Sequence, residues 1–110
     1  MDIELEKKFI NACISKAEAD KTGDSKTGNK YYKVINDVYL TLKESGKLTE
    51  ILVLLNHENP NVRLWASTYA LQIPKSDAVN VLETISHMNG LLGFDAGMVL
   101  SEWRKGNLKF

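Results

Sequence analysis

Two histidines, His57 and His87, lie thirty residues apart, each in a polar segment behind an apolar run. Imidazole can hold a metal or pass a proton. At this spacing the pair falls at matching turns of successive helical segments. Packed helices stand about 8–10 Å apart, so the two rings are expected to cap helix ends rather than share an ion. Cys13 is the single thiol. It has no base near it in sequence and sits on an apolar helix face, which suits a small core residue. One cysteine leaves no internal disulfide and fits a reducing cytosol. The glycines at GD…GN in residues 23–29 lack the lysine spacing and the preceding strand of a phosphate-binding loop, and no nucleophile elbow occurs. Glu4 and Lys8, four apart, read as a surface ion pair. Asp95 reads as a carboxylate set against the free amides of a helix start. No reaction, metal or cofactor is expected from these residues, and the chain is not expected to be an enzyme.

Binding chemistry has more candidates. Trp65 and Trp103 either pack in the core or anchor an interface, where tryptophan is energetically strongest. Arg63 and Arg104 lie beside them in sequence. Tyr31 and Tyr32 are adjacent on a helix and cannot both face the core, so one ring turns to solvent or to a partner. Residues 21–29 are polar with two glycines and read as a loop, long for a helix hairpin. That loop is a flexible connection, a contact loop, or a brace from Asp24 to Asn29 that caps the next helix. The candidate partner-binding set is therefore Asp24, Lys26, Lys30, Tyr32, Arg63, Trp65, Trp103 and Arg104.

Charge narrows the class of partner. Fourteen Lys and Arg balance fourteen Asp and Glu. Residues 1–55 carry nine of each sign and residues 56–110 five of each. With no basic arm or face, grip on nucleic acid or on a membrane surface is not expected. The start, MDIELEKKF, does not resemble a signal peptide, and no apolar run approaches the roughly 20 residues of a membrane span. A cytoplasmic location is the corresponding expectation.

The elements that must position these residues are helical. The chain has 110 residues and a mass of 12.4 kDa, with 44% hydrophobic and 25% charged residues, the balance of one ordinary globular domain. Leu5, Phe9, Ala12, Cys13 and Ala17 recur at helical spacing and predict a first helix over about 3–20, capped by Asp2. Tyr31, Ile35, Val38, Tyr39 and Leu42 predict a second over about 29–45, closed by Gly46. Short helices follow over 48–56, from Pro60 to about Gln72 with Asn59 as cap, and from Ser76 to about Met88. NGLLG is expected to break the chain, and a sixth helix starts at about Leu92 or Phe94 and ends at Arg104.

Sliding residues 48–71 forward by thirty superposes apolar on apolar: Ile51 on Val81, Leu52 on Leu82, Leu55 on Ile85, Ala66 on Ala96. His57 falls on His87 and Pro60 on Gly90. A two-helix period near thirty residues is the mark of an α-solenoid. The expected fold is all-α: a single HEAT-like domain over 1–110, six helices in three antiparallel pairs. Residues 1–46 form a capping pair, and 47–74 and 75–106 form repeat-like pairs.

The segment LTEILVLLNHENPNVRLWASTYAL resembles a HEAT repeat, with an Asn-Pro turn followed by Val62, Arg63, Ala66, Ala70 and Leu71. In the second unit Gly93 stands where that repeat has its arginine. Over nearly its full length the chain resembles a small bacterial HEAT-like family of unknown molecular function, through FINACISKAEA, GD…GN, Tyr39, Leu42, VRLWA and LLGFDAGMVLSEWRKG. Members of such families look like immunity proteins of contact-dependent and polymorphic toxin systems. The resemblance implies a cognate toxin as partner, occluded at its active cleft, with a nuclease among the candidate toxin activities and the free chain a monomer or weak homodimer. A small helical scaffold or adaptor without a toxin is the alternative.

Overall fold

The structure is a computed structural model and describes residues 1–110. Every regular element is helical: α1 (Ile3–Lys21), α2 (Ser25–Glu44), a 3-10 helix (Leu48–Asn56), α3 (Pro60–Ala70), α4 (Ala78–Ser86) and α5 (Gly90–Arg104). The expected helix count and class hold. No helix is long and apolar enough to cross a membrane. The chain divides into two compact units, Met1–Ile51 and Leu52–Phe110.

The first unit is a helix hairpin. Asp2 caps α1, its Oδ1 accepting from the Glu4 and Leu5 amides at 2.8 and 3.3 Å. Glu4 and Glu6 lie in the same positive first turn. The predicted loop over 21–29 shrinks to three residues, because Asp24 starts α2 immediately: its Oδ1 accepts from the Thr27 amide at 3.1 Å. Cap chemistry thus overrides the glycine and polar content that reads as loop. Gly23 turns the corner at φ 74°, a left-handed conformation that costs glycine least. Gly28, predicted in the loop, is buried within α2, where a Cβ would lie 2.7 Å from Asp20 Oδ1. α1 and α2 pack together, and Phe9, Ala12, Cys13, Ile35, Val38 and Leu42 are buried along them. The i, i+4 ion pairs on these helices are Lys16–Asp20 at 2.8 Å and Lys33–Asp37 at 3.0 Å. Gly46 closes α2 as expected, and the Lys47 amide returns to the Leu42 carbonyl at 2.8 Å.

Residues 48–56 form a 3-10 helix rather than the expected α-helix. Its three-residue turn stacks Leu48, Ile51 and Leu54 on one side, and Ile51 and Leu54 are buried. In the second unit Asn59 caps α3 through the Asn61 amide at 2.8 Å, with Pro60 as first residue. α3 ends at Ala70, short of Gln72, and Ser76 Oγ donates to the Ala70 carbonyl at 2.8 Å. α4 opens at Ala78 rather than Ser76, since residues 73–76 hold a turn with Lys75 at φ 63°.

NGLLG does not break the chain. α5 begins at Gly90 and runs unbroken through Leu91, Leu92, Gly93 and Phe94. The break is confined to His87–Asn89, and Gly90 at φ 79° makes the entry. α4 packs on both α3 and α5. Val62, Ala66, Ala70, Leu82, Ile85, Ala96 and Leu100 are buried in this unit.

Candidate protein-binding surface

The structure spreads the eight sequence-predicted residues over separate local roles. Asp24 caps α2, and the hydrogen bonds from Thr27 hold its carboxyl below the ordinary 3.8. Lys26 and Lys30 are exposed and lie four apart on one side of α2. The Lys30 ammonium stands 5.2 Å from the centre of the Tyr31 ring. Of the adjacent tyrosines, Tyr31 is half-buried and Tyr32 is the one that turns outward, 46% exposed.

Arg63 is spent on the backbone. Its Nη1 donates to the carbonyls of His57 at 2.6 Å and Glu58 at 3.0 Å. The guanidinium therefore closes the turn ahead of α3. Gly93, thirty residues on, is a point of close backbone approach. A Cβ there would collide with the Met88 carbonyl oxygen and press on that of Ser86.

Trp65 is half-buried with its ring 6.2 Å from that of Tyr69, tilted by 33°. Trp103 is also half-buried, in an edge-on contact with Phe110 at 6.2 Å. Both tryptophans have ring partners within the chain. Arg104 pairs with Glu83 and so ties the end of α5 to α4. His57 Nδ1 accepts from the Asn59 amide at 3.0 Å, a turn-capping role as expected. His87 stands exposed at the end of α4. Burial pushes the Cys13 thiol far above its usual range. No three His, Cys, Asp or Glu side chains gather where they could hold a metal ion.

The surface that sequence reasoning missed is on α5. Leu91, Phe94 and Met98 are 56, 64 and 47% exposed. They lie at i, i+3 and i+7, so they share one face of one helix. The opposite face, Gly93, Ala96 and Leu100, is buried. α5 is therefore apolar on both sides, a pattern that belongs to a helix covered on both sides. Large apolar side chains grouped on one exposed helix face make it a candidate contact site. The signal was present in GLLGFDAGMVL, which holds more apolar residues than one packed face can use. It was hidden by placing Leu91 in a break instead of a helix.

Gly97 lies to one side of this face, toward the buried Gly93 and Leu100. It is half-buried, yet no heavy atom lies within 4 Å of where its Cβ would be.

The family described as Domain of unknown function (DUF2019) matches residues 3–103. The chain belongs to that family. Comparison with curated proteins and with solved structures finds no match.

Proposed function

We propose that this member of the DUF2019 family is a protein-binding module that neutralises a toxic partner by covering its working cleft. The observation that supports binding is the exposed row Leu91, Phe94 and Met98 on a helix whose other face is already packed. Burying large apolar side chains in a dry contact is the main source of affinity between proteins. Even charge favours a protein partner over nucleic acid: fourteen residues of each sign leave no field to hold phosphates. The toxin as partner, its possible nuclease activity and the cytosolic setting rest on the resemblance to immunity proteins. The stacking of the helices in HEAT-like pairs belongs to the same proposal.

Occlusion is the mechanism. The apolar row of α5 anchors the contact, and interspersed Lys and Glu around it set the partner's identity and the speed of encounter. The test is to mix the purified chain with the toxic domain encoded beside it. Co-elution on gel filtration with loss of toxicity is expected. Separate elution with toxicity intact refutes neutralisation, and separate elution from every neighbouring gene product refutes the binding module itself.

A further inference from the structure

We infer that residues 107–110 form a detachable strap, laid over Trp103 by Phe110, that lifts while the helices stay folded. The inference stands apart from any partner, since it concerns how the chain covers its own tryptophan.

The strap follows from the way α5 ends. Gly106 takes φ 75°. Its amide donates to the Trp103 carbonyl at 3.0 Å, and the Asn107 amide donates to the Glu102 carbonyl at 2.9 Å. This pair of bonds around a left-handed glycine stops the helix and turns the chain back on it. Such a turn commonly carries an apolar contact from the residue just after the glycine. Here that residue is the polar Asn107, and the ring contact falls to Phe110, further along an irregular segment. Phe110 meets the Trp103 ring edge-on, at 6.2 Å and 62°.

The strap buries little. Asn107 and Lys109 are exposed, Leu108 is half-buried, and Phe110 is 37% exposed. An edge-on ring contact is comparable to the entropy of fixing one backbone residue, and the strap fixes several. Segments with few buried apolar contacts open locally, well below the cost of global unfolding. The end of α5 beneath the strap is held separately, by the Arg104–Glu83 ion pair and the buried Leu100. The helix therefore stays in place when the strap lifts.

The consequence is a gated ring. Trp103 is half-buried with the strap down. Val99, also half-buried, lies four residues before it on the same face, so the surface uncovered at the indole continues along α5. Tryptophan is among the side chains that contribute most to protein contacts. The strap keeps one shielded in the free chain and yields it on opening.

The experiment follows Trp103 fluorescence in full-length chains carrying Trp65→Phe, which leaves one indole. As urea is added, Trp103 emission is expected to move to the red, and its quenching by acrylamide to rise, before helical circular dichroism falls. Adding Phe110→Ser is expected to give red-shifted, readily quenched emission already in water. The early step is then lost, and the melting temperature stays close to that of the parent. Trp103 emission that changes together with helicity makes the segment part of the cooperative fold and overturns the inference. A Phe110→Ser chain whose emission matches its parent overturns it too, as does one that melts well below its parent.

Discussion

At the scale of single residues the chain spends its notable side chains on its own structure. Arg63 is the clearest case. Removing it leaves two turn carbonyls without their charged donor, so Arg63→Ala is expected to cost about 1–2 kcal/mol in urea unfolding. Arg63→Lys is expected to recover little, because an ammonium on a flexible stem does not reproduce the planar fork. Equal stability of the alanine variant and the wild type would remove Arg63 from this role. Cys13 is buried, and burial raises its thiol. The thiolate is the reacting form, so alkylation at pH 8 is expected only as fast as the hairpin opens, and to become rapid in denaturant. Asp24 sets a pH dependence. Its folded carboxyl titrates below its ordinary 3.8, so the charged cap stabilises above that value. Its contribution fades as pH falls through the lower folded value. Asp24→Asn keeps a capping oxygen without the charge. The melting-temperature gap between the two proteins is expected to be constant near neutrality and to close below about pH 3.8. These residues were partly legible in sequence: the turn role of the histidines and the core place of Cys13 could be read from spacing. The commitment of Arg63, a binding candidate by residue type, to carbonyls of the preceding turn was not legible, since a side chain's partner across a turn is not a matter of periodicity.

Among the elements, the sequence exposed most of the helices and misjudged where α2, α4 and α5 start. Apolar spacing located the body of each helix, because burial enforces period 3.6 over many residues. Starts depend on one or two residues. Asp24 outweighed the glycines on either side of it, and Gly90 opened α5 where NGLLG suggested a break. The 3-10 character of 48–56 was not legible, because i and i+3 share a face in both helix types. Two glycines of α5 separate fold from surface. Gly93→Ala drives a methyl into the Met88 carbonyl and is expected to destabilise by about 1–3 kcal/mol or more. Gly97→Ala enters open space and is expected to stabilise by up to about 1 kcal/mol. Thermal melts of the pair check this contrast. Equal effects of the two substitutions would show that the α4–α5 turn is not built on close approach at Gly93.

For the molecule as a whole, the central claim is that α5 presents a protein-binding face. All-helical class and near-neutral charge were legible from composition and periodicity. The face was not, because exposure depends on which apolar residues the fold leaves over, and α5 carries two apolar sides for one packed neighbour surface. The eight residues chosen by type were chosen for aromatic and charged character. The structure instead engages Asp24, Arg63, Trp65, Trp103 and Arg104 with neighbours inside the chain, while Leu91 and Phe94 are more exposed than any of the aromatic candidates whose exposure stands out. The most direct measurement is the affinity of wild-type and Phe94→Glu chains for the toxic domain proposed as partner by titration calorimetry, with melting temperatures taken alongside. Phe94 is largely exposed, so the account predicts an unchanged melt and binding weakened by about 100-fold, the size of an interface hot spot near 2.7 kcal/mol. Undiminished affinity in a folded Phe94→Glu chain would contradict it.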